Sequence, residues 1–340
     1  MVSMGTIKIV SWNICDLGRL TKEPLNQTQQ KRRECIIREI RDLSPDILCL
    51  LEGPKGENDI DLISNDWLKG EWIPVKVSDG EYATQGEQWI WFLVRNEYSD
   101  IASLLPIETW DAFTGGSSWK YHLWGEFEEK PHKHYRHPQV LIFNWKGLRV
   151  ELIGLHLKSK FINNGGKMWK AGGQQQQDFI RGALTARIKM TTEATNVRAY
   201  VDAKFKQVEN PAIFVLGDLN DGPGKEYFEE NYLFFDLISN IQGDVFFARR
   251  YLYHALFDFA NDLRWSTYFK DFVDPNRDPH ILLDHILFTQ GLVDGSFPLR
   301  IDAHSGKVEH EIHDLINGSL QKSVQTSDHK PVSVIVTTKE

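Results

Sequence analysis

Several apolar segments of this 340-residue chain end in, or contain, a polar residue that can bind a metal ion or move a proton. Apolar runs of this length are typical of buried strands. The polar residues are Asn13 after IKIVSW, Glu52 after DILCLL, His156 after VELIGL, Asp218 and Asn220 after AIFVLG, Asp284 within ILLDHILF, and Asp328-His329 before PVSVIV. Ligands of layered α/β folds gather where strands end, so we expect these side chains to converge on one cleft.

Each of these residues alone has a simpler explanation. A lone Asn or Asp at a strand end is more often a cap or a turn former. Asp284 is harder to explain in this way, because an acid inside an apolar strand is costly unless it is paired or bound to a cation. The whole set, made only of Asn, Glu, His and Asp, favours a functional site.

The hydrophobic pattern predicts strands and helices that interleave along the chain. Helices are expected at residues 27–43, where Pro45 follows, and between Met190 and Val208, where apolar residues recur every three or four positions. Strands are expected at residues 6–11, 46–51, 88–95, 139–145, 149–156, 212–217, 281–288 and 331–336. We interpret residues 1–340 as a single α/β domain with long insertions near 107–137, 158–177 and 236–280.

Composition limits the classes of function. The net charge of −8 argues against a generic high-affinity nucleic-acid binder, which usually carries a basic stripe. This argument is weak where carboxylates hold a metal ion, since the bound cation reverses the local sign of the charge. Cys15, Cys35 and Cys49 form neither a disulfide framework nor a zinc motif. A strand pattern from Ile7 and the lack of a long apolar run predict a cytoplasmic protein without a membrane span.

The polar set matches the needs of phosphodiester hydrolysis. Oxygen ligands led by Glu52, with Asn13 and the other acids, suit Mg²⁺ or Mn²⁺ better than zinc. The reaction requires a Lewis acid on the phosphate, an oriented water and a proton for the leaving oxygen. The pair Asp328-His329 can polarise the phosphate or the water, and a second histidine can act as the acid.

Taken in order, the segments SWNICDLGR, the strand ending at Glu52, LHLKSK, GDLND, LLDHIL and SDHKPV resemble the successive motifs of the endonuclease/exonuclease/phosphatase superfamily. They span residues 7–336. The resemblance implies a four-layer α/β sandwich, in which two mixed β-sheets pack face to face with helices outside. It also implies an enzyme that depends on a divalent metal, Mg²⁺ or Mn²⁺.

The resemblance assigns metal and water roles residue by residue. Asn13 and Glu52 match the metal-site positions of the superfamily. Asp218 and Asn220 match the pair that orients the attacking water and contacts the phosphate. Asp328 matches a carboxylate that orients the neighbouring histidine or touches the metal.

The remaining matches concern histidines and the phosphate. His329 matches the histidine on the scissile phosphate, and Asp284 matches the acid that supports the cleft histidines. His156 matches the second histidine of the branch that resembles deoxyribonuclease I and the sphingomyelinases. Arg136, in YRHPQVLIF, resembles the phosphate-contacting arginine of that branch.

Departures from other branches narrow the function. Leu155-His156-Leu157 stands where apurinic endonucleases have a Tyr-Val-Pro-Asn type of segment, and Leu51-Glu52-Gly53 stands in place of Gln-Glu-Thr. Leu282-Leu283-Asp284-His285 lacks the Trp-Cys-Asp-Arg motif of inositol polyphosphate 5-phosphatases. The sequence therefore disfavours abasic-site repair and phosphoinositide hydrolysis.

We expect a nuclease that cleaves DNA or RNA by in-line attack of an activated water. Lys158 and Lys160, directly after His156, are candidate substrate-binding residues, although the lysine-rich segment 158–170 is equally consistent with a solvated loop. Trp265 and Tyr268 can stack a base or pack in the core, and His304, His310 and His313 are interpreted as a surface loop. The alternatives are a lipid or small-molecule phosphoesterase and a catalytically inactive binding module.

Overall fold

The computed structural model describes residues 5–114, 119–122, 129–224, 226–232 and 236–338. Part of the predicted insertion at 107–137 lies outside the described residues. Strands and helices alternate along the chain, as the hydrophobic pattern predicts.

One sheet has seven strands, with the neighbours in the order β15-β17-β1-β2-β4-β3 and β16 also paired with β17. Its strands are β1 (Thr6–Asn13), β2 (Ile47–Gly53), β3 (Trp72–Pro74), β4 (Trp89–Arg95), β15 (Leu299–Ile301), β16 (Lys307–Val308) and β17 (Val332–Thr338). β1 and β2 are parallel, whereas β17 is antiparallel to β1. The ends of β1 and β2 and the start of β17 therefore share one edge.

The other sheet has six strands in the order β11-β14-β10-β9-β8-β5. They are β5 (Ala102–Leu104), β8 (Gln139–Trp145), β9 (Leu148–His156), β10 (Ala212–Asp218), β11 (Leu252–His254) and β14 (Asp284–Thr289). β9 and β10 are parallel, and β14 is antiparallel to β10. The ends of β9 and β10 thus meet the start of β14.

Short ribbons and helices complete the described fold. The ribbons are β6 (Trp119–His122) with β7 (Glu129–His132), and β12 (Thr267–Tyr268) with β13 (His280–Ile281). The helices are α1 (Gln27–Leu43), α2 (Glu57–Leu62), α3 (Asp111–Thr114), α4 (Gly165–Ala171), α5 (Gly173–Gln207), α6 (Tyr227–Tyr232), α7 (Leu237–Gln242), α8 (Gly291–Asp294) and α9 (His310–Asn317). None of the helices in the described ranges is long and apolar enough to cross a membrane.

The two sheets pack face to face over one apolar layer. Ile9 and Phe92 from the seven-stranded sheet share this layer with Leu152, Phe214 and Ile286 from the six-stranded sheet. Alternate residues of each strand point to opposite faces of its sheet. Because the strands are apolar at consecutive positions, the outer faces are apolar as well. This pattern requires a further covering layer on each side.

Helices provide that covering. Ile36 and Ile40 of α1 pack on the outer face of the seven-stranded sheet. Met190, Val197 and Val201 of α5 pack on the outer face of the six-stranded sheet. The predicted four-layer α/β sandwich is confirmed.

Three local predictions need correction. The segment 158–177 is partly helical rather than a loop, because α4 lies within it and α5 begins at Gly173, well before Met190. Residues 281–288 form two strands, β13 and β14, instead of one. His310 and His313 lie in α9 rather than in a surface loop, and the His313 side chain is buried.

Gly217, directly before Asp218, provides a test of the packing at the site edge. It has a φ of +141°, and an added Cβ would lie 1.8 Å from the Leu155 carbonyl oxygen of the neighbouring strand. Gly217→Ala should lower the free energy of unfolding by more than the roughly 1–3 kcal/mol that an unfavourable backbone conformation costs. Urea denaturation measures this loss.

Gly147 offers the matched control. Its φ of +79° is also positive, but an added Cβ would meet nothing within 4 Å. Gly147→Ala should therefore destabilise the protein less than Gly217→Ala. Equal losses in the free energy of unfolding would show that the close approach of Gly217 to Leu155 does not contribute to stability.

Candidate active site

A hydrogen bond between strand ends of different sheets lies at the centre of the site. The Asn13 side chain ends β1 and donates from Nδ2 to Asp218 Oδ2 at 3.0 Å. Both side chains are buried. At this contact, the ends of strands from the two sheets meet, as the sequence predicts.

Glu52 lies beside this contact because the end of β2 is irregular. The pairing of β2 with β4 shifts register between Leu50 and Gly53, and Glu52 has a φ of +54°. Its Oε1 is 3.5 Å from Asn13 Nδ2 and 4.0 Å from His156 Nε2. Its Oε2 accepts a hydrogen bond from the backbone N–H of Asp16 at 3.1 Å. A bulge of this kind re-aims a side chain, here into the cleft.

His329 is held by Asp284. The distance from His329 Nδ1 to Asp284 Oδ2 is 2.7 Å, and His329 Nε2 lies 4.0 Å from Asp218 Oδ2. From the motifs, either Asp328 or Asp284 was expected to contact His329. In the structure, the side chain that contacts His329 is Asp284. Asp328, the residue before His329, is exposed, and its expected contact with a metal stays a prediction.

These buried charges shift each other's protonation. Burial alone would lower the pKa of His329, but Asp284 and Asp218 outweigh it and raise the pKa to about 10. Burial, opposed in part by the positive charge of His329, raises the pKa of Asp218 to about 6. At neutral pH, His329 is therefore protonated while Asp218 is mostly ionised.

His156 has the opposite character. Its Nε2 lies 3.3 Å from Asp218 Oδ2. Burial, with the charges of Arg136 and His329, lowers the pKa of His156 well below its usual value. A neutral imidazole results. The role of proton donor expected for His156 stays a prediction, and the histidine that carries a proton at neutral pH in this structure is His329.

Arg136 and Asn220 occupy the same side of the cleft. Arg136 Nε donates to Gln88 Oε1 at 2.8 Å, and its Nη1 donates to the carbonyl oxygen of Leu157 at 3.3 Å. Asn220 Nδ2 donates to that same carbonyl at 3.0 Å, and its backbone N–H donates to Asp218 Oδ1 at 2.8 Å. The turn after β9 thus ties both residues to Asp218.

A buried network fixes the segment that carries His329. Glu39 on α1 accepts from Thr326 Oγ1 at 2.6 Å and lies 2.7 Å from His313 Nδ1 on α9. Ser327 Oγ donates to the carbonyl oxygen of Asn13 at 2.6 Å and accepts from the backbone N–H of His329 at 3.1 Å. The loop before β17 is therefore anchored both to helices and to β1.

A basic cleft adjoins Arg136. It has a volume of about 540 Å³, and its lining includes Lys133, Arg136, Lys158 and Lys189. Glu193, buried on α5, shapes its wall by accepting from the backbone N–H of Lys158 at 2.7 Å. The sequence prediction included Arg136 and Lys158 but missed Lys133 and Lys189. Lys189 lies on α5, far along the chain from every motif, and no sequence signal marks it.

Two other residues singled out in the sequence, Lys160 and Trp265, do not line the basic cleft. Lys160 forms ion pairs with Asp221, Glu226 and Glu229 instead of facing Arg136. Trp265 packs its ring 4.6 Å from that of His280, and the Lys330 ammonium lies 4.3 Å above it. Thr267, in the adjoining strand β12, forms a β-bridge with His329, so this segment borders the site.

Two sets of side chains can hold a cation. Ligand atoms of Asp218, Asp284 and His329 lie within 4.8 Å of one another. In the second set, Glu52 turns a carboxylate into the cleft, and the buried Oδ1 of Asn13 has no hydrogen-bond partner within the described part of the chain. Since Asp284 already holds the protonated His329, the Asn13 and Glu52 oxygens fit a hard divalent cation better.

No family model and no curated protein matches this chain. Among solved structures, it is similar to truncated Caenorhabditis elegans TDP2, with a TM-score of 0.53 and 15% identity over 98% of both chains. It is also similar to an endonuclease/exonuclease/phosphatase from Bacteroides vulgatus, with a TM-score of 0.50 and 12% identity over 98% of this chain and 100% of that chain. At such identities the likeness establishes the fold, and it agrees with the resemblance stated from the motifs.

The Asp284–His329 contact predicts a measurable pKa change. Replacing a buried carboxylate 2.7 Å away with an amide removes the main interaction that favours the charged imidazole. Asp284→Asn should lower the pKa of His329 from about 10 toward the ordinary value of 6.5. NMR titration of the ring proton in metal-free protein reads this pKa directly.

The control replaces an acid beside an exposed histidine. Asp258 Oδ2 lies 3.1 Å from His304 Nδ1, a side chain that is 80% exposed. Asp258→Asn should leave the titration of His329 unchanged. If Asp284→Asn also left it unchanged, the electrostatic assignment of His329 would be wrong.

Proposed function

We propose that this chain, which has the fold of the endonuclease/exonuclease/phosphatase proteins, is a divalent-metal-dependent phosphodiester hydrolase whose substrate is nucleic acid. One observation carries the proposal. The ends of two sheets bring together a protonated histidine held by Asp284, the Asp218–Asn220 pair and the oxygen donors Asn13 and Glu52. This set supplies the groups that in-line attack of water on a phosphodiester requires.

His329 stabilises charge on the phosphate. Its Nδ1 is engaged by Asp284, so Nε2 is the atom that faces the cleft. A protonated ring there donates a hydrogen bond to a phosphate oxygen as negative charge builds up in the transition state, and it gives this proton to the leaving oxygen as the P–O bond breaks. Asp284 keeps that ring oriented and charged.

Asp218 and Asn220 act on the attacking water. Asp218 is fixed by Asn13 on one oxygen and by the backbone N–H of Asn220 on the other. Ionised Asp218 accepts a proton from the water and orients it toward phosphorus. Neutral His156, 3.3 Å away, keeps this carboxylate in place without adding a second positive charge.

Asn13 and Glu52, with Asp328, would hold Mg²⁺ or Mn²⁺. The buried Asn13 Oδ1 and the Glu52 carboxylate are the hard oxygen donors that such ions prefer. When bound, the ion acts as a Lewis acid on the phosphate and the leaving oxygen. It also offsets the carboxylates that would otherwise repel the substrate.

The basic cleft supports nucleic acid as the substrate class. Lys133, Lys158, Lys189 and Arg136 line it within reach of the site, although the chain as a whole is acidic. Local cations of this kind bind successive phosphates of a polynucleotide backbone. A small phosphoester would use only one phosphate contact and would not need the rest of the cleft.

Removal of the metal tests the reaction class. EDTA should abolish hydrolysis of plasmid DNA, RNA and bis-p-nitrophenyl phosphate, and Mg²⁺ or Mn²⁺ should restore it. Glu52→Gln removes a proposed direct ligand of the metal. It should raise the metal concentration that gives a half-maximal rate by at least about 10–100-fold, which is the effect of losing an outer-shell partner. The metal dependence of the initial rate measures this change.

The exposed Glu71 provides the control, since it pairs with Arg41 and Arg95, neither of which is a residue of the site. Glu71→Gln should keep the metal dependence of the wild type. Undiminished hydrolysis in chelator, or an unaltered metal dependence in Glu52→Gln, would contradict the proposed metal role.

Salt dependence tests the basic cleft. In an Asp218→Asn background, Lys158→Ala should reduce the slope of log affinity against log salt by about one unit, because one phosphate contact is lost. Fluorescence anisotropy with short DNA and RNA strands gives the slope. Lys206→Ala is the control, since Lys206 lies on the same helix as Lys189 but about 25 Å along it. Equal slopes for both variants would exclude the cleft as the backbone-binding surface.

A further inference from the structure

A second cavity opens beside the proposed site; Asn220 lines it, and Ser159 lines both this cavity and the basic cleft. Its volume is about 300 Å³, at the small end of the roughly 300–1,000 Å³ typical of ligand sites. The segment after β9, the first half of α5, α6 and residues 269–283 enclose it. Nine of its nineteen lining residues lie in the inserted segments 158–177 and 236–280, and none belongs to the apolar layer between the two sheets.

Aromatic rings form much of its wall. Phe179 packs against Phe228 and Phe272, with ring centroids 5.9 Å and 5.5 Å apart. Phe161 and Phe269 also line the cavity, yet 71% and 51% of their surfaces are exposed. Exposed aromatic rings at a cavity mouth provide faces on which a planar ring can stack.

Charged groups form a polar part of the lining. Arg187 Nε donates to Glu226 Oε1 at 2.6 Å, and Lys160 Nζ lies 3.2 Å from the same oxygen. Arg277 Nη1 is 3.4 Å from the other oxygen of Glu226 and 4.0 Å from Asp271. Each cation in the lining is therefore paired with a carboxylate. Lys160 also pairs with Asp221 and Glu229, so the three cations face four carboxylates. The cluster offers hydrogen-bond donors and acceptors without a net positive charge, so it suits a neutral polar group better than a phosphate.

The cavity is connected to the reaction centre through the chain itself. Asn220 lines it and donates its backbone N–H to Asp218. Leu283, which also lines it, directly precedes Asp284. A group in the cavity would thus belong to the nucleotide next to the phosphate that these residues bind.

We propose that this cavity binds the nucleobase next to the scissile phosphate, in an unpaired strand. The proposal rests on the proposed function and names its substrate more closely. A base has two faces for the aromatic rings and an edge with donors and acceptors for Lys160, Arg277 and Glu226. An acyl chain would cover these charged groups without any hydrogen bond in return, which is unfavourable. A base in a duplex is stacked and paired, so it does not enter such a cavity.

A scan with abasic residues tests the proposal. A four-nucleotide DNA strand is compared with versions in which one nucleotide at a time lacks its base. For wild type, one position should lose about 5–150-fold in kcat/KM when its base is removed, the range that stacking of a base on an aromatic ring accounts for. In Phe161→Ala, removal of that base should cost much less, because the two changes remove the same contact.

Phe246 is the matched control, because it is 91% exposed and does not line the cavity. Phe246→Ala should show the abasic profile of the wild type. The same profile in Phe161→Ala, or a flat profile in the wild type, would overturn the proposal. Turnover of a short-chain phosphatidylcholine that depends on Phe161 would also overturn it, since an acyl chain would then be the occupant.

Direct binding separates this inference from the proposed function. With 2-aminopurine at the sensitive position, or at each position in turn, binding in EDTA should quench its fluorescence with wild type and with Phe246→Ala. The quench should be lost with Phe161→Ala. Quenching without cleavage of any phosphodiester would refute the hydrolase while leaving the base site in place. Cleavage without quenching would leave the hydrolase in place and refute the base site.

Discussion

The hydrogen bond from Asn13 to Asp218 joins the ends of two strands that belong to different sheets. Its length depends on the spacing of the sheets, which the apolar layer between them sets at roughly 10 Å. Asp218 in turn lies 3.3 Å from His156 and 4.0 Å from His329. Since each sheet contributes part of the site, a core change that altered the spacing would move Asp218 and His156 of one sheet away from Asn13 and Glu52 of the other.

Much of this arrangement could be predicted from the sequence because the signals are local. Asn13, Glu52, His156 and Asp218 follow their apolar runs directly, and a polar residue in that place lies at a sheet edge whichever strands are neighbours. Helix α1 was predicted with its observed bounds for similar reasons. Ile36, Ile40 and Leu43 form its apolar stripe, and Pro45 follows its end. The structure adds a capping box of Asn26 and Gln29 at its start.

Features that depend on distant contacts could not be predicted. The choice of Asp284 over Asp328 as the partner of His329 follows from the pairing of β14 with β10, which no motif states. Lys133 and Lys189 meet in one cleft although 55 positions separate them in the chain. The first part of α5 was interpreted as a loop, since its glycines and glutamines lack an apolar stripe.

The protonation states of the two histidines depend most clearly on contacts between residues that are distant in the chain. His329 and His156 have similar isolated chemistry, yet contact with Asp284 keeps one charged, while burial near Arg136 keeps the other neutral. Groups whose surroundings push their pKa values apart can take opposite roles in one reaction. With the pKa of Asp218 near 6 and that of His329 near 10, Asp218 is ionised and His329 is protonated between these values, which are the forms that the proposed reaction uses. These protonation states therefore derive from which strand ends meet, and the amino-acid types alone do not assign them.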